Sequence, residues 1–334
     1  MSVPFPAAGD GPCFEDLSVG DVFDTAPPLT LTEAHAAVHQ SIVGDRLRMP
    51  LDVPLSRSVA RSRTVHPALV WDVAIGQSTL VTRRVIANLF YRGLVLRRLP
   101  SIDDTLSTST EVVGLKQNRG RPERAASGLA ALRVTTRNQH GRPVLDFWRC
   151  AMLPLRDPRA RTGAADDMAA LGVDPSPTDF ARAVRDWDRL PLEDLRGTGP
   201  VPAPGTGPCP VPGGDVVSSA PELARLTLNV ASAHHDATAA GDRRLVYGGH
   251  TIGVALSQAA RAFPEIVTVT GWHGCDHLGP VHEGDTLHST VETERVETVE
   301  GVRLAHLRSR VGAREHAEAP TREVLDWRFV ALLA

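Results

Sequence analysis

The chain repeats itself. Asp104-Thr105-Leu106 returns in the second half as Asp285-Thr286-Leu287, and Val144-Leu145-Asp146 returns at almost the same spacing as Val324-Leu325-Asp326. Each Asp-Thr-Leu precedes a Ser/Thr-rich alternating run, Ser107 to Val113 and His288 to Glu294. Each Val-Leu-Asp opens an apolar final stretch, Phe147 to Leu155 and Trp327 to Leu333. His66-Pro67 opens one long apolar segment, and Tyr247-Gly248 opens another at the same offset. Each match is weak alone. At nearly one spacing and in one order they indicate two copies of one unit, which restricts the fold to something that can be built twice.

Periodicity describes the unit. A helical stretch comes first, Thr32 to Gly44 and Pro221 to His234. A more apolar helix follows, Pro67 to Val81 and Gly249 to Phe263. Its template rests on Leu69, Val70, Val73 and Ala74 in one copy and on Ile252, Ala255, Leu256 and Ala259 in the other. Strands are expected at Val85 to Leu89, Thr105 to Val113, Ala130 to Asn138 and Leu145 to Leu153. Their counterparts are Val267 to Trp272, Thr286 to Val296, Val302 to Arg310 and Val324 to Leu332. Turn residues at Asn138 to Gly141 and Glu297 to Gly301 separate strands. This order predicts an α+β protein, a strongly curved antiparallel sheet around a central helix, twice over. Residues 1–156 form the first unit and 215–334 the second. Between them, 157–214 carries Pro200, Pro202, Pro204, Pro208, Pro210 and Pro212, and its C-terminal half reads as an irregular linker. Phe180 to Leu190 predicts a short helix laid over the body.

Composition narrows the function classes. Of 334 residues, 42% are hydrophobic and 22% charged, as in soluble globular proteins. The net charge of −3 argues against a nucleic-acid partner. Lys116 is the sole lysine, a bias that base composition explains. Cys13, Cys150, Cys209 and Cys275 show no paired spacing, which favours a reducing compartment over a disulfide framework. The opening Met-Ser-Val-Pro-Phe-Pro lacks the basic and apolar regions of a secretory signal, and no apolar run approaches the ~18–20 residues of a membrane span. A cytoplasmic chain with no membrane partner is expected. The oligomeric state stays open, a homodimer included.

The chemistry concentrates between Asn229 and Gly253. An amide, Asn229, and an imidazole, His234, sit five residues apart at the end of a helical run. An unperturbed imidazole titrates near pH 6.5, so it can give and take a proton. Gly248-Gly249 then opens a second helix, whose first N–H groups carry partial positive charge. The pair suits chemistry on a carbonyl that gains negative charge. Plainer readings coexist: Asn229 satisfying a helix end, Asp236 as a cap, the glycines permitting close helix approach. His235 reads as exposed and incidental. In His273-Gly274-Cys275-Asp276-His277 a strand would send 273, 275 and 277 to one face and Asp276 to the other. That fits no standard zinc pattern, so no metal is expected and His277 reads as a pocket residue. Arg119, Arg121 and Arg124 form a basic loop, a solvated turn or a phosphate contact.

Several blocks together resemble a known family. Phe14-Glu-Asp-Leu-Ser-Val-Gly-Asp-Val-Phe23 is similar to the entry strand of the MaoC-like acyl-CoA dehydratases, which have the hotdog fold. The segments Ala87 to Gly93, Asp104 to Leu106, Glu111 to Asn118, Val144 to Arg149, Asn229 to His234 and Arg244 to His250 resemble the mesaconyl-CoA hydratase (β-methylmalyl-CoA dehydratase) branch, a two-hotdog version. The resemblance covers most of the chain, with the linker least alike. It implies a double hotdog in which one unit keeps the catalytic residues and the other shapes the acyl pocket. The first copy agrees, since Gly44 to Val53, where a counterpart of His234 would fall, holds no histidine. By the resemblance, His234 is the acid/base and the Gly248 N–H polarises a thioester carbonyl. Asn229 stands where the broader family has aspartate, and an amide can orient water but not take its proton. Asp236 matches the acidic residue two positions after the family histidine. Asp236, Tyr247, Gly249, His250 and His277 make up the expected substrate-binding set.

The activity implied is a hydro-lyase on an α,β-unsaturated or 3-hydroxyacyl-CoA, of mesaconyl-CoA or β-methylmalyl-CoA type, with no cofactor beyond the thioester. Two alternatives stand beside it. One is a dehydratase for another 3-hydroxyacyl thioester, on CoA or a carrier protein, in a specialised pathway. The other is a double hotdog that binds acyl-CoA without turnover.

Overall fold

A computed structural model describes residues 11–120, 125–240 and 243–334. Arg121, Arg124 and the opening hexapeptide lie outside the described residues; Arg119 is exposed. Eight long strands form the body: β1 (Ala87–Leu96), β2 (Thr105–Gln117), β3 (Ser127–Arg137), β4 (Pro143–Pro154), β5 (Ile266–His277), β6 (Thr286–Val299), β7 (Val302–Arg314) and β8 (Arg322–Leu333). They lie in one sheet in the order β2-β3-β4-β1-β5-β8-β7-β6, every neighbour antiparallel. The second half repeats the first, with its strand order mirrored about the β1–β5 junction. Six of the strands begin and end within a few residues of the alternating runs, because alternation is what a half-buried strand demands, whereas β1 continues to Leu96 past its expected end at Leu89 and β5 to His277 past Trp272.

Each half curls around one helix, α1 (Pro67–Gln77) or α2 (Gly248–Ala262), and the two helices pack together. Every residue of α1 is buried, as are Gly249 to Ala260 of α2, so neither shows the polar face of a surface helix. The repeat extends to single hydrogen bonds. Gln77 Nε2 donates to the Leu106 carbonyl at 3.0 Å, and Gln258 Nε2, at the equivalent place in the second unit, donates to the Leu287 carbonyl at 2.8 Å. Trp71 of α1 meets Trp272 of β5 and Trp327 of β8 edge-on, with ring centroids 4.9 and 6.3 Å away, so the first unit's helix is packed into the second unit's sheet.

Two expectations about the linker are corrected. Cys209–Pro210 and Asp215–Val216 pair with β6 just as Val22–Phe23 and Leu29–Thr30 pair with β2. The second unit therefore starts inside the segment expected to be linker. An edge position tolerates Pro210 because its missing N–H faces away from the ladder. The interior helix of the linker spans Pro177–Arg182, capped by Ser176, rather than Phe180 to Leu190. Its Phe180 is buried in the same hydrophobic cluster as Val95 and Val267.

The first helical stretch, Glu33–Val43, forms as expected between its Thr32 cap and Gly44 at φ +71°. Its counterpart does not. Ala220–Leu226 is helical, then Leu228 turns to φ +59°, and only one 3₁₀ turn, Ser232–His234, follows. The cause lies on α1. The Thr227 carbonyl is seated on the Cα of Gly76, where any Cβ would overlap its oxygen. Asn229 and His234 are therefore brought into position by a cross-unit contact, not by one continuous helix. Helices Arg48–Leu51 and Val53–Ala60 had no signal in the periodicity. Among the described residues no helix is long and apolar enough to cross a membrane.

Candidate active site

A cavity of about 360 Å³ opens at the seam of the two units. The first unit supplies Ile75, Thr79 and Asn88 to its wall, and the second supplies Asn229, His234 and Gly248.

His234 sits on the 3₁₀ turn, with Nδ1 2.8 Å from the Leu245 carbonyl. A carbonyl only accepts, so Nδ1 carries the proton and Nε2 keeps its lone pair. The Leu245 N–H returns a bond to the Ala233 carbonyl at 3.0 Å, which fixes the ring. Burial pushes the imidazole down to about 4, so it is neutral at pH 7. It stands ready as a base, not as the half-protonated group that an unperturbed value near 6.5 would give.

Asn229 is buried. Its Oδ1 accepts from the Ala231 N–H at 3.0 Å, which settles the amide orientation and leaves Nδ2 without a partner. The free end is a donor. The neighbouring Val230 N–H donates to Thr79 Oγ1 at 2.9 Å, tying this segment to the first unit. His235 is not incidental: its ring nitrogen donates to the Asn229 carbonyl at 2.6 Å.

Gly248 is the first residue of α2, so its N–H has no acceptor within the helix, and no side chain caps that end. The His277 ring lies against its Cα; a Cβ there would be 2.6 Å from Cε1 and Nε2. The matching residue of the first unit is Pro67, which has no N–H. There the His66 side chain accepts from the Ala68 N–H at 3.2 Å. An uncapped N–H at the helix start is thus present in the second unit and absent from the first.

Tyr247 borders the cavity, its ring 5.8 Å from that of His234. Its hydroxyl donates to Asp72 Oδ1 at 3.1 Å, and His39 Nε2 donates to Asp72 Oδ2 at 3.1 Å. A fully buried carboxylate on α1 thereby positions the tyrosine that leads into Gly248. His277 also lines the cavity, its Nε2 unpartnered and its pKa pushed down to about 4 by burial.

Three expected substrate-binding residues lie outside the wall. Asp236 is exposed and turns to the Thr238 N–H (2.8 Å) and hydroxyl (2.7 Å), bonds that hold its carboxyl below its ordinary value. Gly249 packs under Asp72, where any Cβ would overlap Oδ1. His250 is fully buried with neither ring nitrogen partnered, and burial pushes it down to about 4, but it does not line the cavity. His273 is also reassigned. A bulge lies between the Trp272–Phe329 and Gly274–Arg328 pairs and breaks the alternation. His273 bonds Asp174 at 2.7 Å in a surface recess that Asp276 also lines, while Cys275 is core and His277 faces the cavity. Among the described residues no group of three or more His, Cys, Asp or Glu is placed to hold a metal.

Sequence reasoning passed over Asn88 and Arg149, both in the cavity wall. Both polar atoms of the Asn88 side chain are buried without partners. Arg149 interrupts the apolar run Phe147 to Leu155, and that interruption was its available signal. A neutral base, an amide donor and an uncapped helix N–H around one apolar-walled cavity can polarise a carbonyl and direct water beside it.

No family model matches the chain. A solved structure from Mycobacterium tuberculosis, described as a conserved protein essential for bacterial survival during infection with a double hotdog fold, is 51% identical. It superposes with a TM-score of 0.88 over 97% of this chain and 98% of that one. The β-methylmalyl-CoA dehydratase of Chloroflexus aurantiacus is 25% identical over 307 residues, 84% of this chain and 82% of its own. The mesaconyl-CoA hydratase of Cereibacter sphaeroides is 28% identical over 323 residues, 93% of this chain and 91% of its own.

Proposed function

We propose that this chain, which belongs to the MaoC-like double-hotdog family of hydratases and dehydratases, is a hydro-lyase on acyl-CoA thioesters that works through His234, Asn229 and Gly248. One observation carries the reading: a neutral His234 with Nε2 unprotonated lines the same cavity as the uncapped Gly248 N–H. The thioester oxygen accepts from that N–H. Asn229 Nδ2 donates to the oxygen of a water molecule and Nε2 of His234 takes its proton. The water oxygen bonds to C3, the C2–C3 π pair moves into an enolate held at Gly248, and C2 then takes back from Nε2 of His234 the proton that the ring removed from water, so the carbonyl re-forms and the ring is neutral again. Elimination is the same path reversed. The thioester itself acidifies C2, so the reaction needs neither a metal nor a redox cofactor.

The named activities of the two curated relatives support a finer reading, a branched C5 dicarboxyl acyl-CoA of mesaconyl-CoA or β-methylmalyl-CoA type. Asn88, with donor and acceptor both free, suits an amide of the pantetheine arm. The four unpaired cysteines fit a cytoplasmic location.

Loss of enoyl-thioester absorbance on a panel of enoyl-CoAs tests the reading. Wild type is expected to hydrate at least one, and His234→Ala to lose on the order of 100-fold or more in kcat/KM. Turnover persisting within about threefold in that variant would remove His234 as the base. A wild type that binds acyl-CoA and never hydrates it would make the chain a non-catalytic binder.

A further inference from the structure

The cavity holds a charge that the chemistry above does not use. Arg149 on β4 is only 3% exposed and lines the cavity. Its guanidinium donates to Ser78 Oγ at 2.9 Å and to Thr82 Oγ1 at 2.6 Å, and its Nε is buried with no partner. Among the described residues no carboxylate pairs with it. Burial pulls its pKa below the ordinary guanidinium value, offset only by the Tyr91 and Tyr247 phenols and the Cys150 thiol. A buried, unpaired cation is costly to keep.

The fold does not require it. In the first unit Arg149 pairs with Tyr91 on one side and Leu132 on the other. In the second unit Phe329 pairs with Trp272 and Leu307. Phe329 is therefore the counterpart of Arg149, and it is fully buried. The helix offset that aligns Pro67 with Gly248 sets Ser78 against Ala259 and Thr82 against Phe263. One copy fills these three positions with apolar side chains; the other fills them with two hydroxyls and a guanidinium. The polar trio is an addition to a core that packs without it.

We propose that Arg149, oriented by Ser78 and Thr82, receives a second carboxylate on the acyl group and is the residue that selects dicarboxyl acyl-CoA thioesters over those that lack the second carboxylate. Planar guanidinium geometry suits a carboxylate, and the unfilled Nε–H adds a donor. The burial places the site at the acyl end, because the charged nucleotide of CoA stays in water. Neutralising a buried cation gives a difference in affinity between a substrate with the carboxylate and one without it. The proposal rests on the acyl-CoA reading of the cavity and names the residue that sets the dicarboxyl preference within it.

Equilibrium binding tests it with saturated probes that cannot be hydrated. 2-Methylsuccinyl-CoA carries the distal carboxylate, and 2-methylbutyryl-CoA has a methyl group in its place. The full chain should prefer the first on the order of 100-fold. Arg149→Met should remove that preference while changing the affinity for 2-methylbutyryl-CoA by no more than about threefold. Thermal melting checks that the variant folds. Should it not fold, Ser78→Ala with Thr82→Val is measured instead, expected to weaken the dicarboxyl probe about tenfold and spare the other. No preference in wild type, or equal weakening of both probes, would overturn the proposal. Binding and turnover fail separately. A preference without any hydration leaves Arg149 assigned and sinks the hydro-lyase reading; hydration of enoyl-CoAs with no preference does the reverse.

Discussion

Moving the His234 imidazole into the cavity wall strips the water that would solvate its cation, and its pKa falls to about 4. The bond from Nδ1–H to the Leu245 carbonyl opposes the fall but does not cancel it. In the proposed reaction, catalysis through the neutral ring sets the pH profile. The kcat/KM for hydration should stay flat from pH 8 to about 5.5 and decline only as pH approaches 4. A midpoint near 6.5 would mean that the ring is solvated and the buried geometry does not hold during turnover. Asn229 divides the labour by its chemistry. Its oxygen is occupied by the Ala231 N–H, so it offers the cavity a donor, and in the proposed reaction proton transfer falls to His234. Asp72 works one contact further out, through the Tyr247 hydroxyl.

At the scale of elements, the decisive contact is between a helix and a backbone. Gly76 on α1 receives the Thr227 carbonyl, which ends the helix Ala220–Leu226 and directs the chain through Asn229 to His234. Gly76→Ala puts a methyl group into that oxygen. It should lower stability by about 2–4 kcal/mol and cut hydration activity more than any wall residue of purely apolar character, because Asn229 moves with the segment. Urea denaturation and the enoyl-CoA assay read both effects; a wild-type midpoint and rate would show that the carbonyl is not seated there. The start of α2 is the second such contact. Its first residue must be glycine to accept the His277 ring, whereas α1 begins with Pro67 and can offer no N–H at that place.

At the scale of the molecule, one sheet and two helices are built from a repeated unit, and the proposed function depends on where the copies differ. Pro67 against Gly248, Arg149 against Phe329, and Ser78 against Ala259 each make one copy polar or open where the other is closed. Concentrating neutral histidines in the interior has a consequence for the whole fold. His234, His250 and His277 each fall to about 4, from an ordinary 6.5. Between those values the unfolded chain binds protons that the folded chain refuses, so stability is full above about pH 6.5 and is lost as pH falls toward 4. Urea unfolding should show a lower midpoint at pH 5 than at pH 7, on the order of 1–2 kcal/mol per histidine. A midpoint unchanged between these pH values would contradict the burial of these rings.

The duplication, the helix-then-strands order and an α+β fold of two curved sheets, each around a helix, were legible in the sequence, because repeats, alternation and apolar periodicity are local patterns; the double hotdog was legible through the family resemblance. So was the pairing of Asn229 and His234 with a glycine at a helix start. Side-chain direction was not. Asp236 turned out to cap its own turn, and His250 to lie off the cavity wall, because spacing along a chain does not say which way a broken helix faces. His273 changed faces through a bulge that no alternation rule anticipates. Arg149 left a trace in the sequence as a charge within an apolar run, but its surroundings, like those of Asn88 and Asp72, were decided by the tertiary structure. A buried group acquires its role from what fails to pair with it, and that is decided by residues far away along the chain.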